Sequence, residues 1–128
     1  MMSAGGATEI PYDKVNGSDY GTKVGNFAKQ FNFDGVDFDL ENFGPGLTYG
    51  TMSSQDIIKW LTDCTIWCKN ALGDGTFISH APQSPYFGPI GDSTTWAGIL
   101  GGYTLVDQNV GNLIDFYNIQ FYNQGETC

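Results

Sequence analysis

The chain has 128 residues, 41% hydrophobic and 15% aromatic, and a formal net charge of −9. This length suits one folded domain with a real core but is short for a complete large barrel, and the hydrophobic share excludes a disordered chain. Only five Lys and Arg residues are present, which disfavours nucleic acid as a partner because phosphates are held by clustered basic side chains. Neutral ligands are favoured, and the seven Tyr and three Trp would suit sugar rings.

The sequence gives little evidence for a compartment. No apolar run reaches the roughly 18 residues of a membrane span, so no membrane partner is expected. The first residues, "MMSAGGATEI", lack the basic and apolar regions of a signal peptide. Cys64 and Cys68 lie four residues apart in a helical pattern and are predicted to be core thiols, while the pairing of Cys128 stays open.

The first half of the chain alternates between strand and helix patterns. "MMSAGGA" is short, apolar and punctuated by glycine, which predicts a buried strand. "FDGVDFDLE", further along, has a period of two and predicts a second strand. Between them a helix is predicted from apolar residues that recur at steps of three and four: Tyr20, Val24, Phe27, Ala28 and Phe31.

A stronger helix follows. Ser53 and Asp56 resemble a capping box at its start, and Gly73 is predicted to stop it. After it, "GTFISHA" predicts a third strand, which Pro82 ends. The residues of this helix that are expected to face inward are Ile57, Ile58, Trp60, Leu61, Cys64, Trp67, Cys68 and Leu72.

The last third begins with a stretch at 82–102 that is rich in Gly, Pro, Ser and Thr and predicts a long irregular loop, usually a functional feature. "YTLVDQNVGNLID" predicts a weaker helix, interrupted by Gly111, and "FYNIQFYNQ" a final strand. The order β-α-β-α-β-loop-α-β is typical of a parallel sheet with crossover helices.

Three acids share one face of the second strand. Asp37, Asp39 and Glu41 alternate with apolar residues, and successive strand side chains point to opposite faces. An open doubly wound sheet would bury both faces under helices, so acids on one face favour a barrel, whose interior opens at the carboxyl ends of the strands. Glu41 is then expected at the mouth and Asp37 deepest.

The final strand agrees, because Asn118, Gln120 and Tyr122 share one of its faces. Acids about 7 Å apart along a strand titrate together, so at least one pKa should rise, and a protonated glutamic acid can serve as a general acid for glycosidic bonds. A solvated acidic strand is the simpler alternative. A calcium loop fails because Asn42 stands where such a loop needs Gly.

These motifs resemble glycoside hydrolase family 18, the chitinases and endo-β-N-acetylglucosaminidases. "DGVDFDLE" at 34–41 fits the family signature D-x-x-D-x-D-x-E, and "SAGG" at 3–6 fits its S-x-G-G. "SHAPQSPYF" and "YNIQFYNQG" look like the fifth and sixth strands of fungal and plant class III type chitinases. The resemblance covers nearly the whole chain.

The resemblance implies a (β/α)8 TIM barrel and retaining, substrate-assisted hydrolysis. It implies that Glu41 is the acid and later the base, that Asp39 orients the substrate's N-acetyl group, that Asp37 supports Asp39, and that Tyr122 contacts the acetamido carbonyl. Chitin or N-acetylglucosamine oligosaccharide is the implied ligand, without a metal or cofactor. The implied sugar-binding residues are Gln120, Asn123, Gly6, Gln83 and Tyr86.

Simpler roles compete at several of these positions. Tyr122 and Gln120 could be packed interior residues, and Tyr86, Phe87 and Trp96 could anchor the loop instead of stacking on sugars. His80, the only histidine, is expected to be structural because no second metal ligand has suitable spacing.

Only the third to sixth strands of a barrel fit in residues 1–128, which are expected to form a partial catalytic domain of about four parallel strands. The missing strands would come from further segments or from self-association, because open edges invite pairing. The resemblance implies a secreted protein. An N-glycan endo-β-N-acetylglucosaminidase and a non-catalytic lectin-like or inactive fragment remain the alternatives.

Overall fold

The computed structural model describes residues 1–12, 14–42, 52–88 and 101–122. The four strands form one sheet in which they lie in chain order, and each neighbouring pair is parallel, as the sequence predicts. Helices connect the strands. The elements are β1 (Met2–Gly6), α1 (Gly17–Gln30), β2 (Gly35–Leu40), α2 (Ser54–Leu72), β3 (Phe77–His80), α3 (Gly102–Val110) and β4 (Phe116–Tyr117).

The predicted limits of α2 are confirmed. The Ser53 hydroxyl accepts a hydrogen bond from the backbone N–H of Asp56, whose carboxylate in turn accepts from the backbone N–H of Ser53 at 2.8 Å. Gly73 caps the other end with φ of 91°. Within the described ranges no helix is long and apolar enough to cross a membrane.

The buried face of α1 matches the prediction at Ala28, while Tyr20 and Val24 are half-buried against the core, and it differs at the two phenylalanines. Phe27 and Phe31 are 49% and 55% exposed, and the buried positions are Gly17, Gly21, Gly25 and Ala28. The cause is the close approach of α2, since a side chain at Gly21 would overlap the backbone of Cys64. Small residues therefore face the neighbouring helix, and the two phenylalanines lie on the outer surface.

The buried face of α2 matches the prediction at every position except Trp67, which is 47% exposed. Thr65, a polar residue outside the predicted pattern, is buried instead because its hydroxyl bonds to the Leu61 carbonyl oxygen and to His80. Cys64 and Cys68 are buried free thiols, as predicted.

The C-terminal elements are shorter than predicted. Helix α3 stops at Val110, and Gly111–Leu113 forms a 3-10 turn. Strand β4 spans only Phe116–Tyr117, but the chain keeps running beside β3: the backbone N–H of Gln120 donates to Pro82 O at 2.9 Å, and Gln120 forms an isolated parallel bridge with Gln83. Regular pairing cannot extend further along β3, because Pro82 has no N–H to donate.

The two faces of the sheet are chemically opposite. In register, Val36 pairs with Ile78 and Phe38 with His80, and all four are completely buried under the helices. Asp37 pairs with Ser79 on the other face. We call these the shell face and the interior face, by their places in a barrel. The predicted loop contains a 3-10 turn at Ser84–Phe87, while Trp96 lies outside the described residues.

Candidate active site

On the interior face, polar groups from β1, β2, β3 and the segment after β4 lie near the carboxyl end of β2. Ser3 on β1 and Ser79 on β3 lie level with Asp37, and Gly5 lies level with Asp39. A side chain at Gly5, whose φ is 127°, would overlap the carbonyl of Asp39. Glycine therefore lets β1 pass close behind the acids, which gives the "SAGG" motif a structural reason.

Asp37 receives hydrogen bonds from three sides. The Asn118 side-chain amide donates to its Oδ1 at 2.9 Å, the Ser79 hydroxyl donates to the same oxygen, and the Ser3 hydroxyl lies 3.4 Å from Oδ2. The carboxylate is thereby fixed in orientation by β1, β3 and the segment after β4. This arrangement differs from a freely solvated acidic strand. Ser79 was not among the predicted site residues, although its parity opposite to Ile78 and His80 in "FISHA" places it on this face.

Asp39 is bonded to Gln120, whose side-chain N–H donates to Asp39 Oδ1 and to the Ala81 carbonyl oxygen, both at 2.9 Å. Burial and the nearby charge of Asp37 raise the pKa of Asp39, while hydrogen bonds from Gln120 and Glu41 act in the opposite direction. A direct side-chain hydrogen bond thus joins β2 to the segment after β4 across the polar face that these strands share.

Glu41 follows the last residue of β2 and shares a hydrogen bond with Asp39. Burial raises the pKa of Glu41, and the negative charge of Asp39 and this hydrogen bond raise it further. The same hydrogen bond acts on the pKa of Asp39 in the opposite direction, as expected when Glu41 donates and Asp39 accepts. A raised pKa at the acid nearest the mouth is what a general acid requires.

An open cavity of about 510 Å³ lies over this face. Its polar and aromatic lining and its openness to solvent suit a hydroxyl-rich ligand. Tyr122, one of the predicted site residues, is 56% exposed there. The lining residues are Asp37, Asp39, Ala81, Tyr117, Asn118, Ile119, Gln120 and Tyr122.

The other residues that were predicted to bind sugar lie in different environments. Gly6 ends β1 level with Leu40, and Gln83 is held beside Gln120 by the parallel bridge. Tyr86 is only 5% exposed, and its hydroxyl donates to the backbone carbonyl of Glu41 at 3.1 Å. A buried ring offers little surface to a sugar, so this placement favours the loop-anchoring role. Asn123 lies outside the described residues.

His80 lies on the shell face, away from the acids. It is completely buried, with Nε2 3.1 Å from the Thr65 hydroxyl and Nδ1 3.1 Å from the Tyr103 hydroxyl. The Thr65 hydroxyl donates to Leu61 O, so Nε2 carries the proton and Nδ1 accepts from Tyr103. Burial lowers the pKa of His80 to about 3, so the ring is neutral and structural, as expected.

Four parallel strands joined by helices, with acids at the carboxyl end of one strand, are the arrangement expected for part of a (β/α)8 barrel. Comparison with known proteins agrees. The chain superimposes on a family GH18 chitinase from Chromobacterium violaceum with a TM-score of 0.66 and 22% identity, over 96% of this chain and 32% of that one. This likeness establishes the fold as a partial TIM barrel.

Sequence comparison gives a curated relative. The chain is 31% identical over 104 residues to chitinase ChiA of Flavobacterium johnsoniae, a match that covers 75% of this chain and 6% of that protein. No family model matches. The two matches confirm the resemblance to glycoside hydrolase family 18 that the motifs predict. The chain spans about a third of the structural relative and a small part of the curated one.

Proposed function

We propose that the protein containing this chain is a retaining glycoside hydrolase that cleaves β-1,4-linked N-acetylglucosamine in chitin and its oligosaccharides. The observation that carries the proposal is the hydrogen bond between the carboxyl groups of Glu41 and Asp39 at the carboxyl end of β2. Both matched relatives are named chitinases. Chitin is an extracellular polymer, so we also propose that the protein acts outside the cell.

The proposed reaction starts with the acid pair. Glu41 protonates the glycosidic oxygen as the bond to the anomeric carbon breaks. The carbonyl oxygen of the substrate's own N-acetyl group attacks that carbon, so no enzyme nucleophile is needed. Asp39 accepts a hydrogen bond from the acetamido N–H, and Tyr122 donates one to the acetamido carbonyl. Water, deprotonated by the Glu41 carboxylate, then opens the cyclic intermediate with net retention.

The surrounding contacts support these roles. Asp37 lies one layer deeper, where bonds from Asn118 and Ser79 hold its carboxylate beside Asp39. Gln120 donates a hydrogen bond to Asp39 at 2.9 Å. Both acids are thus fixed before substrate arrives, and preorganised groups of this kind lower the barrier without rearranging during the reaction.

The rest of the pocket requires more of the barrel. Strands β1 and β4 are the edges of the sheet in the described part of the chain. We propose that further strands pair with these edges in the active protein, because a closed barrel removes exposed edges. A second copy of the chain is the alternative source of those strands.

The test is a substitution at Glu41 in the complete protein. Glu41→Gln keeps the shape of the side chain but removes its acidic proton, so turnover of a chitooligosaccharide should fall at least about 100-fold. Glu9→Gln, at an exposed glutamate outside the site, is the matched control and should keep wild-type turnover.

Three outcomes would contradict the proposal. Wild-type turnover in Glu41→Gln would show that another group supplies the proton. Release of glycans from N-glycoproteins together with inert chitooligosaccharides would instead identify an endo-β-N-acetylglucosaminidase. Binding of chitooligosaccharides without any hydrolysis by the wild type would indicate a lectin-like protein.

A further inference from the structure

The main chain of Glu41 lies beyond the regular pairing of the sheet. The last register pair of β1 and β2 joins Gly6 to Leu40, so no strand partner fixes the residue that follows. The carbonyl oxygen of Glu41 instead accepts a hydrogen bond from the phenol of Tyr86, 45 residues later in the chain, at 3.1 Å. The orientation of this acid is therefore connected to the loop after β3.

Tyr86 is firmly held. Its ring lies nearly parallel to that of Tyr103 on α3, at an interplanar angle of 8° and a centroid distance of 6.5 Å. Tyr103 is itself completely buried, and its hydroxyl bonds to His80. A series of contacts therefore connects His80 on the shell face, through the rings of Tyr103 and Tyr86, to the backbone carbonyl of Glu41.

We propose that Tyr86 is a positioning residue for Glu41: by holding the main-chain carbonyl, it keeps the acid's carboxyl group beside Asp39. The inference deepens the proposed function and rests on it for the identity of the acid. Tyr86 acts through Glu41, since the buried ring and its hydroxyl are directed at the backbone rather than into the cavity.

Loss of the Tyr86 hydroxyl should affect the orientation and the pKa of the Glu41 carboxyl group more than the affinity for substrate. Without the bond the Glu41 backbone rotates more freely, and its carboxyl group spends less time buried against Asp39. Burial, the charge of Asp39 and the hydrogen bond to Asp39 then all raise the pKa of Glu41 less, so the pKa falls toward that of an ordinary glutamate. The acid is deprotonated earlier as pH rises, and the alkaline limb of the activity profile moves to lower pH.

The experiment compares Tyr86→Phe with Tyr20→Phe in the complete protein. Each change removes one phenolic hydroxyl and keeps the ring, and Tyr20 packs on Trp60, remote from the acids. Tyr86→Phe should lower kcat about 3- to 10-fold with KM unchanged, and it should shift the alkaline limb downward. Tyr20→Phe should leave the profile in place.

A spectroscopic measurement makes the result independent of turnover. With 13C-labelled glutamate the side-chain carboxyl signals of the complete protein can be titrated directly, and this chain contributes Glu9, Glu41 and Glu126 to them. Loss of one signal in Glu41→Gln assigns it. In Tyr86→Phe the Glu41 signal should titrate at lower pH than in the wild type, whether or not the protein is active.

An unchanged Glu41 titration in Tyr86→Phe would overturn the positioning role, even if the variant were less stable. A loop anchor without influence on the acid predicts that result. Different results would contradict the hydrolase mechanism and the positioning role of Tyr86. Full activity of Glu41→Gln would contradict the hydrolase mechanism, while a shifted Glu41 signal in Tyr86→Phe would still show that the phenol positions this carboxyl group.

Discussion

The shell face and the interior face of the sheet share the same strands but respond to opposite physical demands. On β2, Phe38 is completely buried beneath the helices, while Asp37 and Asp39 one residue to either side face an open cavity. The shell face stabilises the fold by removing apolar surface from water. The interior face keeps carboxylates close together, which costs stability, so its composition reflects chemistry rather than folding.

The same contrast extends to ionisation. His80 on the shell face is held neutral, with its pKa lowered to about 3 by burial. Glu41 and Asp39 on the interior side have raised pKa values, so they too favour the uncharged form. His80 is a base, whereas Glu41 and Asp39 are acids. Their contributions to the free energy of unfolding should therefore change with pH in opposite directions. The stability predictions below separate the faces on this basis.

The largest effect is expected for Phe38→Ala. Removing a buried ring from the shell face should destabilise this chain by about 3 to 5 kcal/mol, because transfer free energy is lost and a cavity remains. Phe116→Ala is the matched control on the interior face, where that ring is 42% exposed, and it should cost less than about 1 kcal/mol. Denaturant unfolding measures both. Equal losses would mean that the two faces do not differ in this way.

An intermediate effect is expected from His80. A depressed pKa in the folded state gives stability that is present above the ordinary value and is lost as pH falls toward about 3. As pH falls from 7 to about 4.5, His80 should lower the free energy of unfolding by about 2 to 3 kcal/mol, because it is protonated only in the unfolded state. The difference in unfolding free energy between wild type and His80→Gln should therefore shrink in acid. A difference that stays constant with pH would show that His80 does not titrate on unfolding.

The smallest effect, of opposite sign, is expected for Asp39→Asn. A raised folded pKa gives stability that is present below the ordinary value and is lost as pH rises through the folded pKa. The amide cannot ionise and can still accept the bond from Gln120, so the variant should unfold at a slightly higher temperature than wild type at pH 7 and at the same temperature near pH 3. A variant less stable at pH 7 would show that the charge of Asp39 stabilises the fold.

Much of this arrangement follows from local sequence patterns. Alternation along "FDGVDFDLE" separates the two faces of β2, and Ser53 with Asp56 fixes the start of α2, because both signals act over a few residues. The contact of Gln120 with Asp39 follows from the matching polar faces of two parallel strands.

What sequence patterns miss depends on contacts between distant elements. The glycines of α1 face α2 because the two helices approach closely. The spacing of Phe27 and Phe31 therefore predicts burial for residues that are exposed. Thr65 is polar by type and buried only because His80 lies opposite. Tyr86 could stack on a sugar or anchor a loop until its hydroxyl is found at the Glu41 carbonyl. In each case the deciding partner lies far away in the sequence.

The most direct test of the central claim, that the interior face trades stability for chemistry, measures turnover and thermal unfolding together in Glu41→Gln. The account predicts that chitooligosaccharide turnover is lost at pH 7 while the unfolding temperature is unchanged or higher, because a residue with a raised pKa has become neutral. Retained turnover, or a turnover loss matched by a fall in unfolding temperature, would contradict it.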